Sequence, residues 1–382
     1  MSTAPAAPAD LLPPTATPGL AGVLGDAARS LGTEVGGPSA GLALAPGSRV
    51  CVVLVDGLGW EAVQARLGHA PVLRGLVRGG EPVRAPYPST TAASLATFAT
   101  GVLPGRTGML GYTVRSPLTG GLLNLVSWNA HPGPPPEPTA WQREPTTFEA
   151  LVAAGSTVTS LGPTRFAGSG LTRAALRGPA FVGADALEDR VDAALAALRR
   201  PGLVYLYWGD LDKVGHHEGW SSPEWGEHLG MVDAALGQLL RRAPRGTTVI
   251  VCADHGMVDV TSRVDVADVP HLSAGVQLVA GEPRASHVYC EPGEADAVAA
   301  RWRDVLGDAA WVLTRAEAIA AGLFGEVAQR FHDVVGDVVV AAAGTTAIVD
   351  SRTQTPASIG LIGMHGSLTS AETLVPAVVE VT

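Results

Sequence analysis

The chain has 382 residues, enough for one large α/β domain or two ordinary ones, since single hydrophobic cores stop growing at about 250 to 300 residues; one core with an insertion is the expectation. Apolar residues make up 46% and charged residues 16%, which excludes a disordered chain. The formal net charge of -10 would repel a phosphate backbone and argues against a nucleic acid polymer as partner, while small phosphate esters stay compatible because bound metal ions reverse the local field.

Residues 1–18 are rich in Ala and Pro and have neither the basic start nor the apolar stretch of an export signal. They are expected to form a flexible tail, with 19–382 as a single catalytic domain. No run of about 18 apolar residues occurs, so no membrane span is predicted, and the expected location is cytoplasmic.

Leu20, Val23, Leu24, Ala27 and Leu31 recur at helical spacing, and Arg49–Val55 is an apolar run of the kind buried strands use. The alternation continues with a helix at Thr147–Ala154, a strand at Ser156–Leu161, a helix at Leu187–Leu198 and a strand at Leu203–Trp208. A helix at Ser222–Leu240 and a strand at Thr247–Cys252 follow. This is the pattern of a parallel sheet with helices on its faces. Ser222-Pro223 is a good helix start, because the hydroxyl caps free amides and proline is tolerated in the first turn. Trp128–Trp141 holds five prolines and reads as an extended surface loop without secondary structure. A strand at His287–Cys290 and a helix at Glu294–Leu306 suggest a small inserted subdomain at about 260–350. Cys51, Cys252 and Cys290 form no disulfide or zinc-binding pattern.

Several predicted strands end in groups that bind metals. Asp56 follows the first apolar run, Asp212 and His216 follow the run ending at Trp208, and Asp254-His255 follow the run ending at Cys252. Ligands in open α/β sheets bind beyond the carboxyl ends of the strands. Taken alone, each also fits a plain reading: an Asp opening a glycine turn, a loop with incidental histidines, a carboxylate orienting a ring. Three such strand ends in succession favour chemistry, and His365 between glycines adds an imidazole. Sorted by ligand type, Asp212, His216 and His365 form one set and Asp56, Asp254 and His255 another. Mixed imidazole and carboxylate ligands favour Zn2+, with Mn2+ or Fe as alternatives. Two ions about 4 Å apart hold the attacking and leaving oxygens of an in-line phosphoryl displacement. Hydroxyls for the attack stand at Ser89, Thr90 and Thr91, before a predicted helix whose free amides favour an anion; the same hydroxyls also suit simple capping.

The ordered set Val-Asp56-Gly, Pro88-Ser-Thr-Thr91, Asp212-Lys-Val-Gly-His216, Ala-Asp254-His255-Gly and Gly-Met-His365-Gly resembles the alkaline phosphatase superfamily, specifically its type I phosphodiesterase and nucleotide pyrophosphatase branch. The resemblance spans positions 56–366. It implies an α/β fold with a mostly parallel central sheet sandwiched by helices. It also implies Thr91 as nucleophile and ligand of the Asp56, Asp254 and His255 ion, with Asp212, His216 and His365 around the second ion. Where the family is expected to carry an asparagine that binds phosphoryl oxygens, three residues past the nucleophile, this chain has Ser94, which offers one donor in place of two. The sulfatase branch needs a cysteine nucleophile, and none lies between Cys51 and Cys252. The Asp-Ser-Ala segment of ordinary alkaline phosphatases is also absent.

The implied activity is hydrolysis of phosphodiester or pyrophosphate bonds in small, nucleotide-type molecules through a phosphothreonyl intermediate. A phosphomonoesterase or phosphonate hydrolase of the same fold is the alternative, and a non-catalytic metal-containing protein that binds phosphate ligands is the remote one. Monomer and homodimer stay open. Tyr205, Tyr207 and Trp208 read as core residues of a strand, and Arg165 as a surface residue.

Overall fold

Arg49–Val55, Gly202–Trp208 and Thr248–Cys252 are runs of apolar, largely β-branched or aromatic residues, suited to strands covered on both faces. In the computed structural model, which describes residues 5–12 and 19–382, they are the centre of a six-stranded sheet. The strand order is Ala377–Val381, Thr248–Cys252, Arg49–Val55, Gly202–Trp208, Thr157–Gly162, Ala180–Gly183. All neighbours are parallel except the Ala377–Val381 edge. The register pairs Val55 with Trp208 and Leu54 with Cys252. The three central strands therefore finish level, and the residues that follow them emerge at one edge.

Side chains alternate across the sheet as its pleat requires. Val50, Val52 and Leu54 pack with Leu24, Phe98 and Phe148 on one face, and Cys51, Val53 and Val55 pack with Val191, Leu229 and Leu236 on the other. All three cysteines are free and buried. The helix Pro223–Arg242 starts as its sequence suggests, with the Ser222 hydroxyl accepting the Trp225 N–H at 3.1 Å and proline in the first turn. Helix Thr147–Ala153 opens with a Thr146–Glu149 capping box. Among the described residues no helix is long and apolar enough to cross a membrane.

Two sequence expectations are corrected. Of the tail at 1–18, residues 1–4 and 13–18 lie outside the described residues, but 5–12 is docked on the domain. Leu11 is buried and bridges Thr369, the Leu12 N–H bonds Leu368 O at 2.8 Å, and the Trp311 indole N–H bonds Pro5 O at 2.9 Å. Burial of Leu11 and satisfied backbone groups outweigh a composition that reads as loose. The Trp128–Trp141 segment does carry structure. Asn129–His131 completes a three-stranded sheet with Thr113–Arg115 and Leu122–Asn124, and Pro138–Trp141 is a helical turn. Its two tryptophans are buried, Trp141 against Phe331 with its N–H on Gly108 O at 3.1 Å; these anchors, not propensity, order it.

The stretch read as an inserted subdomain holds a four-stranded antiparallel sheet of Val276–Glu282, Ala285–Cys290, Val338–Ala342 and Ala310–Thr314. Helix Ala295–Leu306 covers one face, with Trp302 fully buried and its indole N–H on Leu272 O at 3.0 Å. The other face, through Ala285, Leu313, Val339 and Ala341, joins the core of the main sheet. The hairpin turn after Glu282 is thereby brought to the rim of the strand-end edge.

Candidate active site

Asp56 leaves the first strand with its N–H on Trp208 O at 2.8 Å. Gly57 then turns the chain at φ 73°, where a side chain would be strained and would meet Asp212 Cα at 3.0 Å. That close approach sets Asp212, on helix Asp210–Glu218, beside Asp56. Asp254 is held from behind: its Oδ1 accepts the N–H groups of Gly57 at 3.2 Å and His255 at 3.0 Å. Its Oδ2 is left facing inward.

Each of three imidazoles sets its Nδ1 against a backbone carbonyl: His255 on Gly256 O at 3.0 Å, His216 on Gly363 O at 2.7 Å and His365 on Ser89 O at 2.9 Å. A carbonyl only accepts, so Nδ1 carries the proton and Nε2 turns a lone pair to the carboxylates. His255 Nε2 lies 3.2 Å from Asp56 Oδ1 and 3.6 Å from Asp254 Oδ2. His216 Nε2 lies 3.4 Å from Asp212 Oδ2, and His365 Nε2 lies 3.8 Å from Asp212 Oδ1. The two rings nearest each other, His255 and His365, stack at 3.6 Å, which joins the two sets.

The structure thus assembles both groups expected from sequence, each with ligand atoms within 4.8 Å of one another. Asp56 Oδ1, Asp212 Oδ1 and Asp254 Oδ2 are buried and accept no hydrogen bond. Buried acceptors facing one another are costly unless a cation lies between them, and the spacings suit ions with bonds of about 2.0–2.2 Å. The residues present therefore fit divalent metal ions. Protein charges alone tell the same story. Burial would lower the His255 pKa, yet the carboxylates of Asp254, Asp56 and Asp212 push it up to about 10. Burial, reinforced by the charge on Asp56, raises Asp254 well above the usual carboxylate range, and burial pushes Asp212 up to about 6. For Asp56 burial is overcome by the adjoining His255 ring and by the Tyr207 hydroxyl, and its pKa falls. Burial, then the neighbouring His255 and His216, hold His365 well below the usual imidazole range, in the neutral form that binds metals.

Thr91 is the first residue of helix Thr91–Thr100, and its Oγ1 lies 3.2 Å from His255 Nε2. The nucleophile expected from sequence is therefore against the Asp56, Asp254 and His255 set, at a helix N-terminus that favours an anion. Ser94 is also buried in this helix, but its hydroxyl has no partner, and the wall beside Thr91 is formed by Leu95. His217 is exposed. His287 is a core residue, bonding Leu110 O at 2.8 Å and accepting the Gly336 N–H at 3.0 Å, and burial pushes its pKa down to about 4.

Two cavities open from this centre. One, of about 360 Å3, runs from Thr91 past Leu95, Phe166, Phe181 and Tyr207 and includes Arg165. The other, of about 550 Å3, is bordered by Thr90, His216 and His365 and by Glu282 at the end of the inserted hairpin strand.

The sequence profile of the type I phosphodiesterase / nucleotide pyrophosphatase family matches residues 50–368, a span that includes every strand end just described. The chain belongs to this family. It is accordingly a phosphoric ester hydrolase of a metal-dependent family. Among solved structures, murine ectonucleotide pyrophosphatase / phosphodiesterase 5 is 18% identical with a TM-score of 0.64, covering 87% of this chain and 88% of its own. An inactive threonine-to-alanine variant of that murine protein, in complex with AMP, gives 16% identity, a TM-score of 0.64 and the same coverage. Phosphonoacetate hydrolase from Sinorhizobium meliloti, in complex with phosphonoacetate, is 21% identical with a TM-score of 0.65, covering 87% of this chain and 90% of its own. These likenesses show the α/β fold. No curated protein matches the chain.

In this member of the family, Tyr207, which the sequence suggests is a core residue, instead donates its hydroxyl to Asp56 Oδ2. Tyr205 and Tyr207 project from one face; Tyr205 packs on Phe98 and Phe148 at 5.6 Å, while Tyr207, nearer the strand's end, reaches the carboxylate. The signal available was its place next to last in a strand that ends beside Asp56. Partners that orient a ligand typically change metal affinity by about 10- to 100-fold when lost. Tyr207→Phe is expected to weaken metal retention by that amount in a chelator competition; unchanged retention would remove the orienting role.

Proposed function

We propose that the protein hydrolyses phosphodiester or pyrophosphate bonds of small molecules, nucleotide-type ones included, with Thr91 as nucleophile and two divalent ions, Zn2+ by ligand type, held by Asp56, Asp254 and His255 and by Asp212, His216 and His365. The observation that carries this reading is the Thr91 hydroxyl 3.2 Å from His255 Nε2 beside three buried carboxylate oxygens that no hydrogen bond satisfies. Bound divalent ions would supply Lewis acidity at the phosphoryl oxygens and ease deprotonation of the threonine. Thr91 Oγ1 forms the new bond to phosphorus as the ester oxygen opposite it departs, leaving a phosphothreonyl group. The free amides at the start of the Thr91 helix favour the anionic phosphoryl oxygens. Water then attacks the same phosphorus from the vacated side, restoring Thr91 and releasing a phosphate monoester. The arm kept on phosphorus occupies the aromatic cavity beside Thr91, and the departing arm lies on the His216 and His365 side.

A second reading, cleavage of phosphate monoesters or phosphonates, is favoured by the equally good superposition of phosphonoacetate hydrolase. Bis-p-nitrophenyl phosphate and p-nitrophenyl phosphate separate the two. Faster, chelator-sensitive cleavage of the diester is expected. Preference for the monoester would replace the first reading by the second, and no cleavage by protein loaded with two metals would favour a non-catalytic binder.

A further inference from the structure

The cavity bordered by His216 and His365 differs in charge from the one beside Thr91. The Thr91 cavity has the Arg165 guanidinium in its wall, resting on Phe166 at 4.7 Å. Among the described residues, the larger cavity has no lysine or arginine in its wall. Apart from the two imidazoles assigned to metal, its ionisable side chains are Glu282 and the Tyr112 phenol, and Tyr112 is 46% exposed.

Glu282 is 7% exposed. Its Oε2 accepts the Tyr112 N–H at 2.6 Å, while Oε1 has no partner. Gly366, next to His365, leaves room for it: a Cβ there would come within 2.9 Å of Oε1. Among the described residues no salt bridge reaches this carboxylate, and the neighbouring Arg284 is paired with Glu372. A buried acceptor without a donor is costly. A cation in the cavity would supply the missing partner.

A pyrophosphate leaving group meets the opposite situation. Its inner phosphate would sit at the metals, but its outer phosphate would extend into a space with no basic residue and one carboxylate. Like charges brought together out of water repel strongly. An alcohol carrying an ammonium group two carbons from its ester oxygen meets a carboxylate and the exposed aromatic side chain of Tyr112.

We infer that the cavity on the His216 and His365 side selects an amino alcohol as leaving group, with Glu282 as the specificity-determining residue, and disfavours a phosphorylated one. This rests on the hydrolysis proposed above and narrows it from pyrophosphate bonds to phosphodiester bonds. The test compares 2-aminoethyl phosphate, n-propyl phosphate and pyrophosphate as ligands of the metal-loaded enzyme. Each is measured by inhibition of bis-p-nitrophenyl phosphate hydrolysis and, without turnover, by thermal shift, in wild type and in Glu282→Gln, which keeps the acceptor for Tyr112. In wild type the aminoethyl ester is expected to bind about tenfold or more tighter than the propyl ester, as a charge-assisted hydrogen bond allows. In the variant this preference disappears and pyrophosphate binds more tightly than before. Equal binding of the two alkyl phosphates by wild type, or an equal change for all three ligands in the variant, would overturn the inference. Should the diester not be hydrolysed at all, the reading of the reaction fails, and the thermal shifts still decide what the cavity binds.

Discussion

Thr91→Ala is expected to lower hydrolysis of bis-p-nitrophenyl phosphate by at least about four orders of magnitude, the scale on which removing a catalytic nucleophile acts, while metal content stays near that of wild type. Both halves follow from the position of Thr91. Its Oγ1 is the hydroxyl 3.2 Å from His255 Nε2, so without it there is no oxygen at the helix N-terminus to bond phosphorus. Asp56, Asp254 and His255 remain as three ligands, with Asp254 still fixed by the Gly57 and His255 N–H groups, so an ion is still held. Thr91→Ser keeps the hydroxyl and should retain part of the rate. Metal analysis of the purified variant with steady-state assays checks both. Near-normal turnover by Thr91→Ala would remove the covalent mechanism and leave direct attack by water.

The second large effect lies away from the reacting atoms. Arg284 and Glu372 are both fully buried and paired twice, at 3.0 and 2.7 Å. Arg284 also donates to Thr346 O at 2.6 Å, and Glu372 accepts the Ser367 N–H at 2.9 Å and the Thr369 hydroxyl at 2.5 Å. Ser367 O in turn accepts the Ser89 hydroxyl at 2.7 Å, and Ser89 O meets His365 Nδ1. The pair therefore ties the inserted sheet to the loop that carries His365 and to the loop that leads into Thr91. Arg284→Met leaves a buried carboxylate unpaired and is expected to cost about 3–5 kcal/mol in urea unfolding. Arg284→Met combined with Glu372→Leu should recover much of that, because both charges are then gone. A loss below about 1 kcal/mol for the single variant would mean that water or a shifted donor replaces the guanidinium.

What could be read from the sequence was what strands make local. Asp56, Asp212 and Asp254 each follow an apolar run within four residues, and the level register of the three central strands turns that linear pattern into a cluster. His365 was legible only as a motif, since its place depends on contacts with Ser89, 276 residues away in sequence. Tyr207, Glu282, Arg284 and Glu372 were not legible for the same reason: each lies in a stretch whose composition suits an ordinary core strand or helix turn, and its partner is distant. Tyr207 was read as core, and so is its near neighbour Tyr205; only the 151-residue contact with Asp56 separates them. The tail and the proline-rich segment failed differently. Their composition was read as loose, but Leu11, Trp128 and Trp141 are buried, and a few large apolar anchors order a segment that has little propensity of its own.

The way the three imidazoles are held bears on how such a site changes over generations. Each is oriented by a main-chain carbonyl, on Gly256, Gly363 or Ser89, a group every amino acid supplies. A change of residue keeps the carbonyl, but at Gly256 and Gly363 a Cβ would meet Ala371 O at 2.0 Å and Gly215 O at 2.3 Å, so those two positions must stay glycine. The aim of the three rings is thus a property of the path of the loops, guarded by these glycines, whereas Asp56 depends on one replaceable phenol. Drift in the metal centre should enter through Tyr207 and the cavity walls, so that descendants of this chain alter metal grip and substrate choice long before they lose the geometry of their histidines.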